Sequence, residues 1–496
     1  MNTLTKPSPV MLESVVWAVP TIAALTAINT ASLPDGQQVS VAENGGTYSW
    51  DETASVWTRV DSTGDPVTWS IGATGDYDTV NEALSALRSL APRWDGDSGP
   101  RVTLELQSGF EMAEQVFVRD GEDLSWVTIT SVDSEVPVVA AAITDSLNEN
   151  DTGAPVFGAD NNATLPVIGA LFSYGTTESG KNGVAVFRGS KCQFLPGSGI
   201  RFCDNGITVA YKSEAYCYMG GLFSSGATDA GSTIGVTFDN CSGRALQVQY
   251  GSSAGLARSV FDGAAGNNAV YVIWNSMADI FQSSVKNFSG GNAAINARDG
   301  SIINARETDC SGSANRGYHA LHSSRINARY KADAFPGPGG CSGAGGFGIL
   351  ASHNSQIDAQ EMNASGCNVA CQASDSSSID FSGGDASNAT GDFAIQAASA
   401  SSIAATLANA SGSAGIGVRA FENGTISFDN GDASGAGSHG VVAGRGSRVS
   451  CRTTDASGTS GDGFRVENGS ILSANNATGS LSQTSNSISS DGIIFQ

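Results

Sequence analysis

An apolar residue returns at nearly constant spacing through the second half of the chain. It is usually isoleucine, it follows a Ser or an Asn/Gly turn, and it recurs every 22 to 24 residues with one gap of 31. We call these ten positions the repeat row: Leu256, Ile280, Ile303, Ile326, Ile357, Ile379, Ile403, Ile426, Val449 and Ile471. A fixed period of this length is typical of stacked repeats. We therefore expect these side chains to lie directly on top of one another.

Further rows keep even distances from the repeat row. Two residues downstream stand small or apolar residues: Ala305, Ala328, Ala359, Phe381, Ala405, Phe428, Cys451 and, in the last repeat, Ser473. Six residues upstream stand alanines: Ala297, Ala320, Ala351, Ala373, Ala397, Ala420 and Ala443. Eight upstream stand Ile295, Tyr318, Ile349, Cys371, Ile395, Val418 and Val441. Even spacing places side chains on one face of a strand, so each repeat is predicted to hold at least two short strands.

Coils of 22–24 residues with short strands and tight turns predict an all-β fold, a three-faced parallel β-solenoid. Neighbouring coils lie about 4.8 Å apart, so roughly 16 coils would build a rod on the order of 80 Å long. The core positions are rich in Ala, Ser and Gly, which makes the core narrow and predicts lateral association of chains.

A polar row stands six residues downstream of the repeat row: Asp262, Asp309, Asn363, Asp385, Asn409, Asp432 and Asp455. Asx side chains hold turns by accepting hydrogen bonds from nearby backbone N–H groups, and stacked coils need the same bend in every coil. This favours a ladder of turns. A row of calcium ligands is the alternative, although one Asx per coil is few for an ion that prefers several converging oxygens.

The chain divides into four segments. Residues 1–70 predict a small N-terminal domain, with a possible helix near Leu12–Leu25 and strands at Gln38–Val41, Gly46–Trp50 and Ser55–Arg59. Residues 71–145 contain a helix that starts at the capping box Thr79–Glu82 and ends before Pro92, with an apolar face suited to covering the first coil. Residues 146–479 are predicted to form the solenoid, and residues 480–496 are predicted to form a terminal cap or trimer contact.

Two segments interrupt the expected solenoid. The polar stretch Asn148–Asn162 is predicted to be a loop that leaves the rod, and Pro336–Gly346 accounts for the one long gap.

Composition narrows the classes of partner. Lys and Arg total 25 against 48 Asp and Glu, a net charge of −23, which argues against binding nucleic acid or anionic membranes. The apolar stretch Ser14–Ile28 follows an acidic residue, contains Pro20 and is short for a membrane span, so neither a standard signal peptide nor membrane insertion is predicted.

The nine cysteines show no zinc-like spacing, so no metal or other cofactor is expected. Cys192, Cys217 and Cys241 lie 25 and 24 residues apart and are expected to stack as buried thiols in successive coils.

The chain resembles bacteriophage tailspikes and tail fibres built on a right-handed parallel β-helix. The resemblance rests on Gly72–Leu84, which is similar to the short helix before their first coil, on Val102–Leu106 with Val127–Ile129 as first rungs, and on the Leu33–Trp57 segment, which is similar to small virion-attachment domains. It implies a homotrimer that is assembled in the host cytoplasm and attached to a virion through residues 1–70. It also implies a β-helix that binds, and in some members cleaves, a bacterial surface polysaccharide. A head fibre shares this architecture, and a cell-surface adhesin is a further alternative.

Candidate site residues come from a polar row four residues before the repeat row. Its members are Asp299, His322, His353, Asp375, Ser399, Glu422, Arg445 and Glu467. An exposed Asp299–His322–His353 column suits general acid–base chemistry, and Glu307 is a further carboxylate candidate. A solvated edge of mixed charge is the alternative.

Before the long gap, His319, Tyr330 and Lys331 are candidates for glycan contact, because loops that leave a regular scaffold often carry function. Tyr250 and Trp274 are expected to stack on adjacent coils, more readily inside the core than as a sugar platform, and Tyr318 is expected in the core.

Overall fold

The computed structural model describes residues 17–19, 25, 28, 38–41, 46–51, 56–59, 67–88, 102–148, 153–217, 235–330, 340–479, 487–488 and 493–495. Near the N-terminus, four strands form one sheet: Trp17–Val19, Gln38–Val41, Gly46–Asp51 and Val56–Arg59. The first pair is parallel and the other two pairs are antiparallel. The three predicted strands are confirmed. The predicted helix over Leu12–Leu25 is wrong at Trp17–Val19, which pairs as a strand with Val39 and its neighbours.

Two long parallel sheets run through the rest of the chain and confirm the parallel β-helix. The first, the long-strand sheet, has 15 strands within the described ranges. They are Val116–Arg119, Ala154–Asp160, Lys181–Val186, Ile207–Ala210, Leu246–Gln249, Asn268–Ile273, Ala293–Arg298, Arg316–Leu321, Phe347–Ser352, Val369–Ala373, Phe393–Ala397, Ile416–Ala420, Val441–Ala443, Phe464–Val466 and Ser487–Ile488.

The second, the short-strand sheet, pairs strands of mostly three to five residues in chain order. They are Val67–Ile71, Val102–Leu106, Val127–Ser131, Val167–Ile168, Lys191–Phe194, Glu214–Cys217, Ser253–Gly255, Met277–Asp279, Ile302–Asn304, Arg325–Asn327, Gln356–Asp358, Ser378–Asp380, Ser402–Ala404, Thr425–Ser427, Arg448–Ser450, Ile471–Ser473 and Ile493–Phe495.

The third face is the least regular. Short strands at Val136–Pro137, Leu171–Ser173 and Gly199–Arg201 continue as single parallel bridges from Thr237 to Asp455, and Asp455–Ala456 then pairs with Thr478–Gly479. Each bridge in this row joins one residue of a coil to its counterpart in the next. The three faces enclose one continuous apolar core.

Strand register confirms most of the repeat row and corrects its ends. Seven residues from Ile303 to Val449 pair in one column, all at most 3% exposed: Ile303, Ile326, Ile357, Ile379, Ile403, Ile426 and Val449. Before them the column continues through Ala278 and Ala254, and after them through Leu472. The assignment of Leu256, Ile280 and Ile471 to this column is therefore wrong. In the first two coils the column residue is a buried alanine, and the larger Leu256 and Ile280 are buried two residues further on, so the largest apolar residue does not mark the column there.

The polar row shows the same shift at its start. Val260 and Ser284, rather than Asp262, precede Asp309 in the bridge row. From Asp309 onward the turn-ladder interpretation is confirmed, because each Asx Oδ1 accepts a hydrogen bond from the backbone N–H two residues on, as in Ser365 N to Asn363 Oδ1 at 2.9 Å.

A buried serine ladder explains why Ser so often precedes the repeat row. The backbone N of Ser355 donates to Oγ of Ser377 at 3.0 Å, and the backbone N of Ser377 donates to Oγ of Ser401 at 3.1 Å. The same bond links most coils from Ser190 to Ser470. The ladder satisfies backbone donors at a tight corner inside the core, where water cannot reach them.

The helix Val80–Arg88 lies along the edge of the long-strand sheet. Its Asn81 side chain donates to the Gln115 carbonyl at 2.9 Å, and at the other end Arg88 Nε lies 2.7 Å from Glu122 Oε1. Glu82 N donates to Thr79 Oγ1, as the capping box predicts. The helix therefore covers the strand Val116–Arg119. One 3₁₀ turn follows at Ala140–Ala142.

Two further expectations are wrong. The stretch Asn148–Asn162 is not a loop throughout, because Ala154–Asp160 is a strand with every residue buried. The cysteines Cys192 and Cys217 do not stack on each other, since they pair with Ala215 and Phe194. Cys241 lies instead beside Cys203, with the sulfurs 3.5 Å apart. All nine cysteines are buried free thiols. No helix in the described ranges is long and apolar enough to cross a membrane.

Candidate functional site

Each coil turns from the long-strand sheet to the short-strand sheet through a residue with left-handed backbone. We call this corner the first ridge. Its members have φ between 50° and 59°: Asp120, Asn161, Arg188, Tyr211, Tyr250, Trp274, Asp299, His322, His353, Asp375, Ser399, Glu422, Arg445 and Asn468. Because the same corner repeats at every coil, these side chains project outward and lie one coil apart.

Three aromatic rings stack on the first ridge. Tyr211 and Tyr250 have ring centroids 4.5 Å apart and planes inclined by 7°, and Trp274 continues the stack 4.3 Å from Tyr250. The expected stacking of Tyr250 and Trp274 is confirmed, but the expectation that they face inward is wrong. Tyr250 is 38% exposed and Trp274 is 41% exposed, so the stack forms an external apolar rib.

Carboxylates and imidazoles follow the aromatic stack without a break. His322 Nδ1 lies 2.7 Å from Asp299 Oδ1, and the His322 and His353 rings meet edge to face with centroids 5.0 Å apart. His353 Nδ1 lies 3.7 Å from Asp375 Oδ2. The ridge therefore brings three of the predicted site residues together in the order that their spacing implied.

The outer face of the long-strand sheet adjoins this ridge. Along it, the residues three positions before the ridge residues form a row that includes Tyr271, Asn296 and His319, which pair in register from coil to coil. His319 is only 7% exposed, although it points away from the core. Burial, helped by the nearby cations Arg316 and Arg298 and by His353 and His322, lowers the pKa of His319 to about 3. The imidazole is thus neutral at physiological pH.

The remaining candidates lie elsewhere. Glu307 and Tyr330 belong to a second ridge, on the other side of the short-strand sheet, where Glu307 accepts a hydrogen bond from Gln282 Nε2 at 2.7 Å. Glu307 is 9% exposed, and Tyr330 packs against the core. Lys331 lies outside the described residues. Tyr318 is fully buried, as expected, and its hydroxyl donates to the Thr308 carbonyl at 2.6 Å.

Sequence reasoning missed the junction between the aromatic stack and Asp299. Counting four residues back from Ala254 and Ala278, the true members of the column, reaches Tyr250 and Trp274. Counting from Leu256 and Ile280 reaches two buried serines instead. The spacing of four residues between a ridge residue and its column residue would have identified Tyr250 and Trp274. Using it requires recognising that alanine is the column residue of these two coils.

The first ridge can bind a polar, partly apolar ligand and can transfer a proton. When Nδ1 of His322 donates to Asp299, Nε2 is the acceptor of the neutral ring, and the side chain is 40% exposed. Within the described ranges no three His, Cys, Asp or Glu side chains are arranged to hold a metal ion.

A shallow groove of about 560 Å³ follows the outside of the short-strand sheet, and the stacked Asp358 and Asp380 are among the residues that line it. Burial, together with the Asp380 carboxylate, raises the pKa of Asp358, while backbone N–H donation from Gln360 opposes the shift. This groove lies on a different face from the sheet residues that adjoin the first ridge.

No protein-family model matches the chain, and the search of curated proteins finds no match. Similar solved structures include the enzymatically active domain of tailspike protein 2 from bacteriophage CBA120, at 12% identity and a TM-score of 0.34, over 74% of this chain and 57% of that one. The chain thus spans just over half of that structure's length.

Another is ORF18 of Geobacillus virus E2, at 12% identity and a TM-score of 0.26, over 82% of this chain and 72% of that one. A third is a periplasmic alginate epimerase, at 10% identity and a TM-score of 0.26, over 83% of this chain and 82% of that one.

Proposed function

We propose that this protein is a spike or fibre of a phage particle that binds bacterial surface polysaccharide along the first ridge. The observation that carries the proposal is the exposed aromatic stack that passes directly into the Asp299–His322 pair. Sugars present apolar C–H faces and hydroxyl groups together. A flat ring beside charged hydrogen-bonding groups matches both features.

Trp274 is the residue best placed to seat a sugar. One face of its indole packs on Tyr250, and the other face is turned toward the coil of Asp299. The Asp299 side chain is shorter than an indole, so the outer part of that second face extends past it toward solvent. A sugar on this face would have Asp299 and His322 within reach of its hydroxyls.

Binding to a panel of purified bacterial surface polysaccharides tests the proposal. We expect at least one polysaccharide to bind the full chain and Trp274→Ala to weaken that binding about tenfold or more, because one stacking face is lost. Leu407→Ala is the matched control, since Leu407 is 66% exposed on the second ridge. Equal weakening by both variants, or no binding at all, would contradict the proposal.

A second candidate function is cleavage of the bound polysaccharide. The Asp299–His322 contact favours it, because a carboxylate that orients an imidazole is the arrangement of a general base. Incubation with a bound polysaccharide should then release reducing ends or unsaturated uronates, and His322→Gln should abolish the release. Binding without any such release would leave a non-enzymatic fibre.

The proposed assembly is a homotrimer attached to the particle through residues 1–70. Exposed apolar side chains on the short-strand sheet support lateral association: Tyr216 is 39% exposed, Met277 is 55% exposed and Ile302 is 43% exposed. Met277 and Ile302 are neighbours in register. Detection of the protein in purified virions, rather than on a cell surface, tests the particle assignment against the adhesin alternative.

A further inference from the structure

The outer face of the long-strand sheet carries polar groups that lack partners. On this face Arg244 and Arg316 each have a buried Nε without a hydrogen-bond partner in the described structure, and Arg298 Nε has only the Asp299 carboxylate, at 3.5 Å. Nδ1 of His319 and Oδ1 of Asn296 are likewise buried and unpaired. Buried polar groups in proteins are nearly always paired, so a concentration of exceptions calls for an explanation.

The unpaired groups converge on His319. Asn296 and His319 are direct partners in register on adjacent strands, and they are 1% and 7% exposed. Arg316 and Arg298 both act on the imidazole, since each contributes to the lowered pKa of His319. In register, Arg298 pairs with Leu321, two residues after His319. Arg316 stands three residues before His319, so the two guanidinium groups flank the imidazole and the amide along two adjacent strands.

Positive charge at this position is only partly neutralised within the protein, because Asp299 is the one carboxylate within ion-pair distance of these arginines among the described residues. Arg316 donates to Asn292 Oδ1 and lies over the Phe347 ring, and it has no carboxylate partner among the described residues. Burial alone lowers its pKa. Arg298 approaches Asp299 Oδ2 only at 3.5 Å, and the other Asp299 oxygen bonds His322. In a chain of net charge −23, this is a local excess of cations.

We propose that Arg298 and Arg316, beside the buried His319 and Asn296, form an anion subsite for an acidic sugar of the polysaccharide. A guanidinium presents paired N–H donors to a carboxylate or phosphate, which is the geometry that arginine recognises best. The Arg298 side chain is 42% exposed, so its terminal N–H groups can reach a bound anion, while His319 and Asn296 lie beside it as buried polar groups. This deepens the proposed function by naming the substrate class, and it rests on that function.

The subsite and the first ridge are parts of one surface. Arg298 immediately precedes Asp299, and His319 is three residues before His322. One sugar on Trp274 and an acidic sugar on the sheet face would thus occupy neighbouring positions. A polysaccharide in which acidic residues alternate with neutral ones matches this arrangement.

Equilibrium titration of the full chain with small probes tests the subsite directly. The probes are sodium D-glucuronate, inorganic phosphate and D-glucose. We expect at least one anion to bind more tightly than glucose, and Arg316→Gln to weaken that binding about tenfold or more. Arg448→Gln is the control, because it removes the same charge from an exposed position on the short-strand sheet. Preference for glucuronate identifies a uronate, and preference for phosphate identifies a phosphorylated glycan.

Two results would overturn the subsite. One is equal binding of glucose and both anions. The other is an equal effect of Arg316→Gln and Arg448→Gln, which would mean only a diffuse charge effect. Arg298→Gln serves as the second variant if Arg316→Gln does not fold. The polysaccharide panel distinguishes failure of the subsite from failure of the proposed function. Binding of neutral polysaccharides only would refute the subsite and retain polysaccharide binding. Binding of the small anions without binding of any polysaccharide would retain the anion site and refute polysaccharide binding.

Discussion

Backbone conformation at single residues links the fold to the site. A left-handed backbone is unfavourable for residues other than glycine by roughly 1–2 kcal/mol. The corner between the bridge row and the long-strand sheet mostly uses glycine or asparagine, for example Gly366, Asn388 and Gly435. The first ridge instead carries Tyr250, Trp274 and other large side chains. Glycine would relieve the strain there but would project no side chain, so the strained corner supports the proposed role of the first ridge as a binding surface.

His319 predicts how stability depends on pH. Its pKa is about 3 in the folded chain and 6.5 for an ordinary histidine, so the unfolded chain binds more protons between these values. Stability from the neutral imidazole is complete above pH 6.5 and is lost as the pH falls toward 3, by at most about 5 kcal/mol.

We expect the thermal midpoint to drop more between pH 7 and pH 4.5 for the wild type than for His319→Gln. The exposed His353 provides the control, and His353→Gln should behave like the wild type. Identical pH dependence of the wild type and His319→Gln would show that the buried imidazole does not disfavour its charged form.

At the scale of elements, the helix Val80–Arg88 protects the open edge of the long-strand sheet. An uncovered edge strand offers unpaired backbone groups to other chains. The carboxylate of Glu114 holds the helix start, accepting from Val80 N at 2.6 Å and Asn81 N at 3.1 Å. Burial raises the pKa of Glu114, and these hydrogen bonds oppose the rise.

Glu114→Ala should loosen the helix by about 1–2 kcal/mol, because two backbone donors lose their acceptor. Faster hydrogen exchange over residues 80–88 measures the loosening, and concentration-dependent aggregation should accompany it. The nearby exposed Glu111 gives the matched control Glu111→Ala, for which we expect unchanged exchange. A helix that exchanges at the wild-type rate in Glu114→Ala would show that other contacts anchor it.

At the scale of the whole molecule, the narrow core limits how much surface one chain can bury. Alanine and serine fill many inward positions, and large apolar residues stand on the outside of the short-strand sheet. Lateral packing of chains would bury them.

Light scattering on the full chain should give a mass three times the 50.4 kDa of one chain. Met277→Asp together with Ile302→Asp should shift the mass toward that of a single chain, because it places charge in the proposed contact. Leu407→Asp is the control for a generic effect of added charge. A single-chain mass for the wild type would contradict the trimer.

The fold was readable from the sequence because it depends on a local period. Each coil repeats the same alternation of inward and outward residues, so the rows around Ile303, Ala297 and Ile295 specified strands, faces and stacking without knowledge of distant contacts. The Asp299–His322–His353 column followed from the same count.

Only the tertiary structure decided which alanines belong to the core column and which face the aromatic rings occupy. Alanine is small enough to stand either in the core or on the surface. Ala254 and Ala278 therefore do not stand out in the sequence as core residues, and the sequence predicts that Tyr250 and Trp274 face inward. The cationic face needed coordinates for a different reason. Whether Arg316, His319 and Asn296 have hydrogen-bond partners depends on groups from several coils. The residue type at one position does not show whether its side chain is buried without a partner.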